Sequence, residues 1–153
     1  MAELARAVAS LRIVGDDLLP DDVSAMLGCA PTRAWAKGDT LTWQGATRTA
    51  RFGMWSLQAE VTEPGDLDAQ VAAILSRLTQ DETVWAEVGS RYDLDLFCGW
   101  FMKYSNEGMA IGPDTMSALG ARGIPLDIDL YSGDSEQVPD QPSIGRSATR
   151  RAR

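Results

Sequence analysis

The sequence predicts an α+β fold: a mainly antiparallel sheet with its helices packed on one face. Three observations predict it. Segments with apolar residues at every second position alternate along the chain with segments of helical spacing. The helical segments are short and open on Pro-Asp or Asp, as helix starts do. Finally, "LPDDVSAMLGCAP" and "GPDTMSALGARGIP" both run Pro-Asp, helix, Ser-Ala, Leu-Gly, Pro, each between two strands. They read as a weak repeat of strand-helix-strand units of the ferredoxin-like kind.

Taken in order, "ASLRIVGDDL" carries Leu11 and Ile13 in a strand that stops at Gly15-Asp16-Asp17. In "LPDDVSAMLG", Pro20 suits the first helical position, Asp21 and Asp22 the positive end of the helix dipole, and Gly28 the stop. Val23, Met26 and Leu27 form its apolar stripe. "TRAWAKGD" is extended, and "GDTLTWQGATRT" reads as a glycine- and threonine-rich turn region. "RFGMWSLQAEV" is a strand through Met54, Trp55, Leu57, Ala59 and Val61, ended by Pro64-Gly65-Asp66.

"DLDAQVAAILSRLTQ" is the longest predicted helix, with Leu67, Val71, Ile74, Leu75 and Leu78 on one face. "DETVWAEVG" adds one or two helical turns. The strongest strand pattern is "YDLDLFCGWFM", where Leu94, Leu96, Cys98, Trp100 and Met102 share a face and Asp93 and Asp95 begin the other. After the turn "KYSNEG" come a short strand at "MAI", the helix "PDTMSALGARG", and a last strand "IPLDIDLY" with Leu126, Ile128 and Leu130 inward. Residues 1–134 form one domain by size and pattern. Residues 135–153 are Ser-, Pro- and Arg-rich without periodicity and read as a disordered tail.

Charge narrows the partners. The chain carries −8. Arg146, Arg150, Arg151 and Arg153 against Glu136 and Asp140 give the tail +2, which leaves −10 on residues 1–134. Such a body repels phosphate backbones, so no nucleic acid is expected as a partner. The absence of histidine removes Ser-His-Asp and Cys-His nucleophile systems and histidine metal sites. Cys29 and Cys98 are far apart, whereas a structural zinc site needs about four thiolate or imidazole ligands. Neither metal nor cofactor is expected. The start carries Glu3, Arg6 and Arg12 and lacks the apolar stretch of a signal peptide, and no run approaches the roughly 18–20 residues of a membrane span. A cytoplasmic protein without membrane attachment is the expectation.

Several separated pieces form a pattern: "LRIVGDDLLPDDVSAMLGCAPTRAWAKGD", then "GMWSLQ", then "LGARGIPLDIDLY". Strand, Gly-Asp, Pro-Asp helix, Pro-Thr-x-x-x-x-x-Gly, Trp-x-Leu and a closing Asp-rich strand ending in Tyr follow one another over residues 8–132. This order resembles the domain-of-unknown-function 4279 family of bacteria. The resemblance implies a small cytoplasmic α+β domain and supplies no catalytic residues.

The residues themselves offer one candidate site. In "PTRAWAKGD", Arg33, Trp35 and Lys37 fall at alternate positions and so share a face of an extended segment. Arg48 and Arg51 precede the strand that holds Trp55, so pairing of the two strands would gather a positive, aromatic-lined patch on an acidic body. Arg33, Trp35, Lys37, Arg51 and Trp55 are the candidate ligand-binding residues, suited to a carboxylate, a phosphate or an acidic peptide. The plainer reading has arginine stems lying over tryptophan on an exposed strand, neutralised by Asp39 or Glu60. Asp93 with Asp95 and Asp127 with Asp129 alternate as a solvated sheet face does, and Asp21 and Asp22 are explained as helix-start residues. Gly108, Gly112, Gly120 and Gly123 match no phosphate-binding loop.

The functional expectation is a non-enzymatic binding or interaction domain, an immunity-type or accessory protein presenting an acidic surface to a protein partner. The alternative is a small anionic-ligand or hydrolytic domain centred on the Arg33/Trp35/Lys37 row or the strand aspartates.

Overall fold

The computed structural model describes residues 2–133. The predicted tail, 135–153, lies outside the described residues. The elements are β1 (Ala2–Glu3), β2 (Arg6–Gly15), α1 (Pro20–Leu27), β3 (Arg33–Trp35), β4 (Thr40–Trp43), β5 (Ala46–Thr49), β6 (Gly53–Gln58), α2 (Leu67–Ser76), α3 (Glu82–Arg91), β7 (Asp93–Phe101), β8 (Glu107–Gly108), α4 (Pro113–Ala121) and β9 (Leu126–Tyr131). The α+β class stands.

The main sheet has the order β3-β6-β2-β7-β9. Its first three pairings are antiparallel and the last, β7 with β9, is parallel, so the sheet is mixed. That corrects the even repeat of two like units. In β7–α4–β9 the strands are direct neighbours, whereas β6 lies between the strands of β2–α1–β3. The shared Pro-Asp helix pattern sets a local crossover but does not decide which strand fills the gap beside it.

The core face obeys the alternation. Ala9, Leu11 and Ile13 of β2, Trp55 and Leu57 of β6, and Leu96 and Cys98 of β7 meet Val23, Leu27, Leu67, Val71, Ile74, Trp85, Val88 and Leu119 from all four helices in one cluster. Both indoles buried here are satisfied: Trp55 Nε1 donates to Ser24 Oγ at 3.0 Å and Trp85 Nε1 to the Thr79 carbonyl at 2.9 Å. Helix α1 ends as read, with Gly28 in the left-handed region at φ 76°. Helix α2 closes at Ser76, short of the predicted end, and α3 runs to Arg91, beyond the one or two turns predicted.

Three local expectations are corrected. The "KYSNEG" turn includes Glu107 and Gly108, which pair with β1; "MAI" itself is irregular. Leu130 is 64% exposed, because it sits at the far end of an edge strand opposite a half-buried Trp100; Leu126 and Ile128 do pack on the core. The region "GDTLTWQGATRT" is the largest difference, since it holds two paired strands, β4 and β5.

Those two strands belong to one long hairpin with β3 and β6. Arg33 faces Ser56 and Trp35 faces Met54; further out Thr40 faces Thr49 and Trp43 faces Ala46, in the same register. Between the two ladders Ala50 N–H donates to the Asp39 carbonyl at 2.8 Å, also in that register. The tip is Gln44-Gly45, both with positive φ (45° and 78°), as a two-residue type I′ turn requires. Residues 36–39 and 50–52 interrupt the ladder and form an elbow.

Candidate functional site

Strand alternation puts Arg33 and Trp35 on the sheet face opposite the helices, with Met54 and Ser56 across from them. A second, smaller cluster covers that face here: Trp35, Ala50 and Met54, joined by Val14, Leu41 and Phe52. Leu41 comes from the arm of the hairpin, so the arm lies over the stem rather than extending away from it. A second contact makes the same point. Arg33 and Trp43 are ten residues apart, roughly 30 Å in an extended chain. Yet the Arg33 guanidinium lies 6.0 Å from the Trp43 ring. The elbow turns the chain back on itself.

The fold-back encloses a groove of about 450 Å³ between β3 and the β4–β5 arm. Arg33, Trp35, Trp43 and Arg48 carry its chemistry. The Arg33 guanidinium is also 6.0 Å from the Trp35 ring, so it sits between two indoles. Each distance is at the outer limit of a cation–π contact, so both rings are within reach of the guanidinium. Among the described residues neither the Arg33 nor the Arg48 side chain has an ion pair or donates a hydrogen bond. The groove is therefore a positive spot with a free indole wall, Trp43 being 43% exposed, on a chain of net charge −8.

The predicted row is only partly a surface. Arg33 is exposed, but Trp35 is 8% exposed and its Nε1 donates to the Phe52 carbonyl at 3.0 Å. Lys37 lies past the end of β3 in the elbow, paired at 3.3 Å with Asp16. Arg51 is exposed in the other limb of the elbow and does not line the groove. Trp55 is fully buried on the helix side of the sheet, because it neighbours Met54 and must point the other way. Asp39, offered as a neutralising partner, instead accepts the Ala36 N–H at 2.9 Å and shapes the elbow.

Sequence reading missed Trp43 altogether. A signal was present: Thr40-Leu41-Thr42-Trp43 alternates polar and apolar, and Gln44-Gly45 follows as a two-residue turn.

The other acidic features are committed elsewhere. Asp95 takes both Arg12 Nε (2.8 Å) and Nη2 (2.6 Å), with Asp127 at 3.9 Å from the same guanidinium. Cys98 is buried, and burial together with Asp95 and Asp127 pushes its thiol up to about 12. A hollow of about 620 Å³ between Thr62–Asp66 and Gly108–Ala110 is lined by Glu3, Glu63 and Asp66 and by no cation. Its Asp66 carboxylate is occupied by the Ala69 N–H at 3.0 Å. No group of three or more acidic or thiol side chains among the described residues is placed to hold a metal ion. No helix among them is long and apolar enough to cross a membrane.

A family model described as domain of unknown function (DUF4279) matches residues 4–133. The chain belongs to the DUF4279 family. The match spans the described sheet, the helices and the folded-back hairpin. No curated protein and no solved structure matches the chain.

Proposed function

We propose that this DUF4279 domain is a binding module rather than a catalyst, and that the groove beneath the hairpin arm is its site for an anionic group. One observation carries the reading: the Arg33 guanidinium lies 6.0 Å from both the Trp35 and the Trp43 rings and has no counter-ion among the described residues. A cation left unpaired on a strongly acidic protein is an electrostatic opportunity that no carboxylate among the described residues takes. Arg48 supplies a second fork to the same groove. Burial pushes the Cys98 thiol up to about 12, which takes that one group out of nucleophilic chemistry at neutral pH, since the thiolate is the nucleophile.

The test is a thermal-shift and calorimetric screen of inorganic phosphate and small dicarboxylates in low salt. Wild type binds with stabilisation, Arg33→Ala does not, and Arg33→Lys binds more weakly because lysine lacks the bidentate fork. Absence of any shift in the wild type overturns the anion site.

A further inference from the structure

We propose that the occupant of the groove is a short acidic segment of another protein, bound in extended conformation along the outer edge of β3. The proposal rests on the reading of the groove as an anion site and adds what carries the charge.

The first support is the position of β3. It ends the order β3-β6-β2-β7-β9 and pairs with β6 alone, so no strand among the described residues pairs with its outer edge. An open edge is a row of backbone donors and acceptors that an extended peptide can complete.

The second is where the groove meets that strand. Arg33, Ala34 and Trp35, the whole of β3, line the groove together with the arm residues Thr40, Leu41, Thr42 and Trp43, so a ligand in it lies alongside β3.

The third is periodicity. A strand laid beside β3 brings every second side chain to the face where Arg33 and Trp35 lie. A carboxylate at one such position meets the Arg33 fork, and an apolar or aromatic residue two places on meets the exposed Trp43 ring. Arg48, across the hairpin from Leu41, is available to a second carboxylate. A free phosphate would use the arginines and leave both the indole face and the β3 edge empty.

The footprint is small. β3 is three residues long, about 10 Å of strand. Recognition is therefore of a short motif, acidic-x-apolar, and its affinity is modest unless other contacts join it. The −8 charge of the chain disfavours broadly acidic partners, which confines attraction to this local spot.

The experiment uses the full chain and three probes, read by calorimetry and by acrylamide quenching of Trp43. The probes are an end-capped hexapeptide alternating aspartate and serine around one phenylalanine, the same peptide N-methylated at the odd or at the even amides, and inorganic phosphate. The parent peptide should bind at least ten-fold more tightly than phosphate, and Arg33→Ala should weaken it at least ten-fold. Because strand pairing uses alternate amides, one N-methyl set should weaken binding ten-fold and the other should leave it nearly unchanged. If phosphate binds through Arg33 while the peptide binds no better, or if both N-methyl sets bind like the parent, the extended-segment proposal falls and the anion site stands. If neither peptide nor phosphate binds the wild type, both fall.

Discussion

Asp68, in the first turn of α2, caps a different helix: its Oδ1 accepts the Thr115 hydroxyl at 2.6 Å and both its oxygens lie 3.1 Å from the Gly112 N–H. Gly112 is the residue before α4, and no side chain of α4 itself caps that end. A carboxylate on one helix thus satisfies the orphan donors of another and joins the two crossovers. Asp68→Ala should cost about 1–2 kcal/mol, the usual loss for a helix cap. Asp68→Asn, which keeps the acceptor and loses the charge, should cost less. Urea denaturation of the two variants measures both values, and equal losses would mean that the neutral acceptor contributes nothing and the charge carries the cap.

Arg12 crosses the open face of the sheet to Asp95, gripping it at two points while its guanidinium lies 4.2 Å from the centre of the Phe97 ring. The pair is directly cross-strand in the β2–β7 register. With side-chain exposures of 13% and 24%, it is screened less than a surface pair. Arg12→Ala should therefore destabilise by about 2 kcal/mol, the range for hydrogen bonds to charged groups. Arg12→Lys should recover only part of this, because a single ammonium cannot make the fork.

These relationships show what the sequence could convey. Leu11 and Ile13, the α2 face from Leu67 to Leu75, and the Leu94–Trp100 face were legible because each repeats at the period of its own element. The Arg33–Trp43 approach was not legible. It depends on an elbow, and the side chains flanking an elbow show no period that reports its angle. Alternation rightly placed Arg33 beside Trp35, but it could not tell that Val14, Met54 and Leu41 would cover the indole and leave the guanidinium exposed. Trp55 lies off the row for a simpler reason: strand pairing brings it beside Ala34, and its parity turns it to the helix side of the sheet. The parallel β7–β9 pairing likewise depends on how distant strands dock, which no local pattern records.

Gly53 begins β6 opposite Gly15, and a Cβ on it would lie 2.5 Å from the Leu18 carbonyl oxygen and 3.0 Å from that of Gly15. Both neighbours are backbone, which cannot rotate away. Gly53→Ala should then destabilise by about 2 kcal/mol or more, as overpacking a rigid contact does. Gly120→Ala, where nothing lies within 4 Å, is the contrasting variant and should be neutral or slightly stabilising. Thermal melts of the two variants side by side give the comparison.

Cys98 links stability to alkaline pH. Its thiol is raised from 9.0 to about 12 by burial first, then by Asp95 and Asp127. The unfolded chain releases this proton at lower pH than the folded one, so the contribution is fully present below about pH 9 and is lost as pH rises toward 12. Between those values the wild type should lose stability more steeply than Cys98→Ala, with the two slopes converging near neutrality. In the folded protein at neutral pH a thiol reagent should modify Cys29, which is partly exposed, well before Cys98.

The hairpin tip gives the prediction that joins stability to the proposed site. Gln44 holds φ at 45°, a conformation that glutamine tolerates poorly and asparagine adopts readily, and it precedes Gly45 in a two-residue turn. Every residue of β5 is exposed, so the arm is held mainly by its ladder and by the contacts of Leu41 and Trp43. Such a segment opens locally at a small fraction of the global unfolding free energy. Gln44→Asn should therefore slow amide exchange in Thr40–Thr49 several-fold while changing the global melt little. An arm that spends more time folded over Arg33 has less ordering entropy to lose when a ligand arrives. The same substitution should tighten binding of any groove ligand by the factor by which it raises the closed fraction of the arm. Slower exchange with unchanged affinity would mean that the groove is already closed essentially all the time, and that the arm is a fixed wall of the site.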